Sequence, residues 1–149
     1  MNLQYAGTLS DLQALLQQSG WQQPLPLTPA SSLRWLMANP DGEDLPVLPQ
    51  VHDGHNETLL LIHALPGEKK DFWALRLWSA DVFLENSELL WIGTLSRMTV
   101  HHYINLISIP RTVGVVTPVL LLPALAGTTV SLKSAKQNPV LLIGEKMVP

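Results

Sequence analysis

The residues whose types and spacing could do chemistry are few. His52-Asp53-Gly54-His55, with Glu57 close behind, brings together the imidazole and carboxylate donors of a zinc or manganese site. The spacing is His-x-x-His on a turn signal, unlike the helical HExxH that aims two imidazoles at one ion, and no third ligand stands beside it. An Asp-Gly turn flanked by histidines explains the same residues without a metal. His101-His102 could add a distant ligand, but neighbouring strand residues point to opposite faces, so one of the two at most would join. Arg76 stands two residues before Trp78, so one strand face presents a guanidinium beside an indole. Such a pair can hold a phosphate or carboxylate, or stack on a ring. Arg76, Trp78 and His63 are therefore the candidate ligand-binding residues. The competing reading pairs Arg76 with an acid at the sheet rim, Asp81 or Glu88.

Other chemistry finds little footing. Ser96-Arg97 has no G-x-S-x-G elbow around it, so a serine nucleophile is not expected. Every glycine is isolated, which leaves no phosphate-cradling loop. The acids of 41–44 sit in a loop and read as ordinary solvated carboxylates. No catalytic residue is assigned, no cofactor is expected, and enzyme activity in this chain is left open.

Composition narrows the classes further. A net charge of −3, with no basic run longer than Lys69-Lys70, speaks against a nucleic-acid partner. The absence of cysteine excludes disulfides, thiolate metal sites and thiol nucleophiles. Charged residues make up 14% of the chain against about 25% in an ordinary soluble domain. Few charges are left to cover the outside, so part of the surface is expected to meet a partner, a second copy of the chain or a membrane-bound neighbour. A polar but uncharged exterior fits the same figure. The N-terminus has no secretion-signal pattern. The apolar stretch 113–130 is broken by Pro118, Pro123 and Gly127, and its continuous aliphatic part, Val119 to Leu122, is far short of the roughly 20 residues a bilayer requires. The chain is not expected to cross a membrane by itself.

These residues need elements to position them. Residues 72–78 and 89–96 read as two antiparallel strands, with Asn86 and Ser87 at the turn between them. Alternation puts Trp73, Leu75 and Leu77 on one face and Phe72, Ala74, Arg76 and Trp78 on the other. Neither face is polar, so the pair should lie centrally, covered on both sides. Before it, residues 2–6 read as a short strand. Thr8 and Asp11 open a helix with Leu9, Leu12, Leu15 and Leu16 inward, and Gly20 stops it. Thr28-Pro29 opens a second helix with a buried stripe of Leu33, Leu36 and Met37, ended at Asn39-Pro40.

Residues 46–52 and 57–63 flank Asp53-Gly54 as hairpin arms, the first bulged or at an edge because of Pro46 and Pro49. Residues 104–109 read as extended, and 113–122, 128–132 and 140–143 as further strands. The expected fold is α+β in a single domain over residues 1–149. It has a mainly antiparallel sheet of about six to eight strands, packed with two helices from the N-terminal third.

Taken in order, several of these pieces resemble the LssY C-terminal domain family. They are Gly20-Trp21 after an amphipathic helix, Leu48-Pro49-Gln50-Val51-His52-Asp53-Gly54, Leu75-Arg76-Leu77-Trp78 and Trp91-Ile92-Gly93, spanning residues 2–96. Where the family strand often has histidines before the arginine, this one holds Trp73 and Ala74. Members are found behind bacterial DedA-type proteins and type-2 phosphatidic acid phosphatase domains. The resemblance implies a non-catalytic accessory or regulatory soluble domain of a membrane-associated lipid-phosphatase-type protein. Its place would be at the bacterial inner membrane, with the cytoplasmic face preferred. The partner would be a membrane-embedded phosphatase or DedA-type module, in the same chain or a neighbour, with self-association as a further possibility. Two other classes stay open. One is a binding module for an anionic ligand, a phosphorylated head group or sugar, held by Arg76, Trp78 and His63. The other is a metal-dependent hydrolase built on His52 and His55.

Overall fold

The computed structural model describes residues 1–37, 40–83, 89–103, 106–125, 129–135 and 138–144. The chain opens with β1 (Leu3–Ala6) and α1 (Leu9–Gln17). Thr8 holds the extended N-cap backbone and Asp11 lies in the first turn, where its charge faces the free N–H groups. Leu12 and Leu16 are buried. Gly20 takes φ +91°, which lets the chain reverse so that Trp21 N–H donates to Leu16 C=O and the indole folds back into the core.

The second helix is a 3₁₀ segment, Ser31–Leu36, and its expected buried stripe is open. Leu33 is 64% exposed, and Leu36 and Met37 are exposed as well. With three residues per turn, Leu33 and Leu36 eclipse on a single outward line. Trp35 turns inward in their place and donates Nε1–H to Pro46 C=O at 3.0 Å. The proposed end at Asn39 lies outside the described residues.

A short 3₁₀ turn, Gly42–Asp44, leads to β2 (Val51–His52) and β3 (His55–Asn56), which form a two-rung hairpin. Asp53 (φ 50°) and Gly54 (φ 79°) are both left-handed, the backbone a tight hairpin turn requires. The turn therefore stands where the sequence put it, but the arms are shorter. Pro46 and Pro49 have no N–H to give, and Gln50 spends its own on the Glu57 carboxylate. The expected second arm becomes β4 (Leu59–Ala64), paired with the next strand instead.

That strand is β5 (Asp71–Phe83), followed by β6 (Leu89–Tyr103), β7 (Ile107–Val115), a 3₁₀ segment Pro118–Leu125, β8 (Thr129–Ala135) and β9 (Asn138–Gly144). Among the described residues seven strands form one sheet, ordered β4-β5-β6-β1-β9-β8, with β7 also on β6. All pairs are antiparallel except β1 with β9. The fold is α+β with a mainly antiparallel sheet, as the pattern of elements implied. Residues 113–122 are not one strand: Val113 to Val115 finish β7, and Pro118 and Pro123, which cannot donate to a ladder, fall in the 3₁₀ segment. Asn86, Ser87 and Glu88 lie outside the described residues. No helix among the described residues is long and apolar enough to cross a membrane.

β5 and β6 are central and covered on both faces. One face packs Leu75, Leu77 and Leu95 against Leu12, Leu16 and Trp21. The other packs Phe72, Ala74 and Met98 against Val47 and Ile62. The edge of β6 changes partner from β1 to β7, and buried Asn2 fills the gap between them. Its Nδ2 donates to Val116 C=O (2.8 Å) and Leu95 C=O (3.3 Å), while its Oδ1 accepts from Leu95 N–H (2.8 Å). Asn2→Leu leaves the Leu95 N–H without that partner and is expected to cost about 2–3 kcal/mol, read from the urea-unfolding midpoint.

Candidate functional site

Arg76 is the largest fully buried side chain of the core. Alternation sets it inward from the middle of β5, and what meets it there is the excursion of chain between the second 3₁₀ turn and β4. Its Nη2 donates to Leu48 C=O at 3.0 Å and its Nε lies 3.4 Å from Glu57 Oε1. Glu57 Oε2 in turn accepts Gln50 N–H at 2.8 Å. The two side chains are 2% and 6% exposed. Burial pushes the Arg76 guanidinium below its usual pKa, and the Glu57 charge offsets part of that. The partner is thus neither Asp81 nor the rim. Asp81 caps its own bulge through Ser79, and the carboxylate on Arg76 comes from a residue nineteen positions earlier in the chain.

Trp78 is buried one position on along the same face of β5 and anchors the other end of the excursion. Its Nε1 donates to His55 C=O at 3.1 Å, and the His52 ring leans on its indole with centroids 5.6 Å apart. Beside it opens a cleft of about 400 Å³ lined by His52, Asp53, His55, Trp78 and Asp81 among others. The two carboxylates give this cleft acid character, and neither Arg76 nor His63 lines it. His52 and His55 are directly opposed across the hairpin, and His52 Nε2 lies 3.4 Å from Asp53. Among the described residues no three His, Asp or Glu side chains converge as a metal-holding group.

His63 sits on the other side of the sheet. It pairs with Trp73, whereas Arg76 pairs with Leu60, so the two point to opposite faces. The imidazole lies between Trp21 and Trp73, with Ala64 C=O 2.7 Å from Nδ1 and Ser19 C=O 3.1 Å from Nε2. It ties the end of α1 to β4. Arg76 and Trp78 are brought onto one face, with His63 behind them.

Two further polar groups lie near the start of β5: Asp71, which sequence reasoning did not single out, and His102 of β6, which it offered only as a distant metal ligand. Asp71 accepts from Arg97 and from the Thr99 hydroxyl. The Thr99 bond and then the Arg97 guanidinium hold the Asp71 carboxyl below the usual carboxylate range. A carboxyl depressed in the fold stabilises at neutral pH, and that contribution fades as pH drops through its unfolded and then its folded pKa. Stability should therefore fall below about pH 5. In Asp71→Asn this part of the pH dependence should disappear, as read from unfolding midpoints at pH 7 and pH 3.

The second group is His102. Ser108 Oγ is 2.7 Å from its Nδ1 and Lys70 Nζ is 3.0 Å from its Nε2. An ammonium has only protons to give, so Nε2 accepts, the ring proton sits on Nδ1, and the ring donates to Ser108. In that tautomer the imidazole cannot take the proton of Ser108, which is itself buried. Thr94 and Ser96, on the Arg76 face of β6, hold buried hydroxyl oxygens with no protein partner. Together the polar side chains fasten segments to the sheet.

The sequence matches the family described as LssY C-terminus over residues 1–107. No curated protein and no solved structure matches it significantly.

Proposed function

Because the chain belongs to the LssY C-terminus family, we propose that it is a non-catalytic accessory domain of a bacterial membrane-associated lipid-phosphatase-type protein, working by docking. The observation that carries this reading is the commitment of the expected ligand-binding side chains to the fold itself. Arg76 is neutralised by Glu57, Trp78 donates to His55 C=O, and His63 is fixed between two tryptophans. Docking draws support from the 3₁₀ helix, whose Leu33, Leu36 and Met37 lie open to solvent on a chain with few charges. An apolar line of this kind fits a partner surface better than water. The occupant we assign is the membrane-embedded module, phosphatase or DedA-type, encoded in the same chain or beside it.

The test is reconstitution. The purified chain should show no turnover of phosphatidic acid alone. It should bind the detergent-solubilised membrane module, and Leu33→Asp/Leu36→Asp should weaken that binding roughly tenfold while leaving the melting temperature unchanged. Phosphate release by the chain alone, or binding indifferent to the double substitution, would sink the reading.

A further inference from the structure

The buried Arg76 guanidinium is only partly spent. A guanidinium has five N–H donors. Here Nη2 meets Leu48 C=O at 3.0 Å and Nε faces Glu57 Oε1 at 3.4 Å. The second distance is long for a charged pair, which closes to about 2.7–2.9 Å when both partners commit. Nη1 meets Met98 Sδ, a weak acceptor, at 3.9 Å. Two hydroxyls lie along the same path. Thr94 stands directly opposite Arg76, Ser96 opposite Ala74 and Met98 opposite Phe72. The Arg76 side chain therefore runs from Thr94 past Ser96 to the Met98 sulfur, all on one face. Ser96 is 4% exposed, and among the described residues neither its Oγ nor Thr94 Oγ1 finds a partner. Buried polar groups are nearly always bonded, so donors left over beside a cation mark a place for an acceptor.

Glu57 covers that place from outside. It lines a second cleft of about 400 Å³, together with Pro24, Pro26, Pro49, Asn56 and Leu60 among others. Arg76 does not line this cleft, so the Glu57 carboxylate separates the guanidinium from it. Among the described residues Glu57 is also the one charged side chain in the lining. The chain just before it is lightly held. Among the described residues, β2 and β3 pair with each other as two rungs and with no strand of the main sheet.

We propose that Glu57 is an internal stand-in for a phosphate monoester, which binds Arg76 by displacing the carboxylate. The phosphate accepts from the Arg76 guanidinium and from the Ser96 and Thr94 hydroxyls, while Glu57 turns out into solvent. A phosphate has oxygens enough for all these donors, where a carboxylate has two. The organic part of the ester lies in the outer cleft among Pro24, Pro26, Pro49 and Leu60. The ligand selects the open state because it bonds groups that the closed state leaves bare. In the closed state Arg76 is held by the fold, so the site is latched until the ester displaces Glu57. No residue of the 3₁₀ helix Ser31–Leu36 lines this cleft, so different variants test this site and the docking stripe.

The probes are glycerol 3-phosphate and a short-chain lipid phosphate below its micelle concentration, titrated into the full chain by calorimetry. Glu57→Gln removes the competing charge and should bind about tenfold tighter than the parent. Ser96→Ala should bind about tenfold more weakly. Its melting temperature without ligand should be unchanged or higher, because only an unpartnered hydroxyl is lost. Phosphate also stabilises proteins without a site. Arg76→Met/Glu57→Gln, which leaves no charge buried, measures that background and should bind neither probe. Amide exchange adds a readout that a general stabiliser would not move. The Gln50 N–H, now held by Glu57 Oε2, should exchange faster with ligand while core amides slow. Tighter binding of the lipid-borne probe assigns the ester to a head group, and equal or weaker binding assigns it to a free monoester. The proposal is overturned if neither probe binds the parent or Glu57→Gln, if binding survives in the double variant, or if Ser96→Ala binds as the parent does. Gln50 protection that rises with ligand equally overturns it, since Glu57 would then have stayed in place.

Discussion

Arg76→Met is expected to cost the fold about 3–5 kcal/mol, out of the roughly 5–15 that holds a domain of this size together. Methionine fills a similar length but leaves the Glu57 carboxylate at 6% exposure with no cation beside it, and Leu48 C=O without its donor. A buried ion pair need not be strongly stabilising as a pair, yet removing one member leaves the other charge stranded in a poor dielectric. The second half of the prediction follows from that asymmetry. Arg76→Met/Glu57→Gln should recover much of the loss, because the glutamine oxygen can still accept Gln50 N–H while no charge is left buried. Unfolding in urea, followed by tryptophan fluorescence, would give the four corners of the cycle. Hydrogen exchange across residues 45–58 should rise in the single variant before global unfolding, since the pair pins that excursion to the sheet. A single variant within about 1 kcal/mol of the parent would mean the pair does not hold the excursion down.

Gly93→Ala is expected to cost about 3 kcal/mol, near the upper end for one added methyl group. Gly93 lies opposite Leu77 on β5 and Leu3 on β1, in the middle of three paired strands. A Cβ built there would stand 2.4 Å from Arg76 C=O and 2.4 Å from Leu77 Cδ2. The leucine tip could swing away, but the carbonyl belongs to the β5 backbone and moves only if the ladder opens. The melting temperature should fall by about 10 °C, given the usual slope for a chain of this length. A drop of less than about 3 °C would show that the sheet yields locally at little cost. The glycine is thus required by close approach of strands, and Trp91 beside it donates Nε1–H to Gly7 C=O, so this stretch reads as structural.

Much of the fold was legible because its signals are local. The leucine spacing of α1, the left-handed stop at Gly20, the Asp53-Gly54 turn and the face alternation of residues 72–78 each depend on neighbours in the chain. The family resemblance read over residues 2–96 agrees with the match over residues 1–107. The 3₁₀ helix was harder. Its apolar spacing fits an inward stripe, yet Trp35 competes for the same inward position, and the contact that favours it is with Pro46, eleven residues away.

The candidate site divides in the same way. Sequence alone determined that Arg76 and Trp78 share a face, since period-two alternation needs nothing beyond the strand itself. It also set the chemical types at hand: no thiol, no phosphate loop, and no carboxylate between Glu88 and Glu145. Only tertiary structure decided that Glu57 meets Arg76, that His63 lies behind the sheet, and that the β6–β7 pairing runs on past the first residue of β5. Those outcomes turn on strand register and on which strand takes which partner. A slip of one residue exchanges the faces of a whole strand, and the free energy that prevents it is spread over packing contacts far apart in the chain.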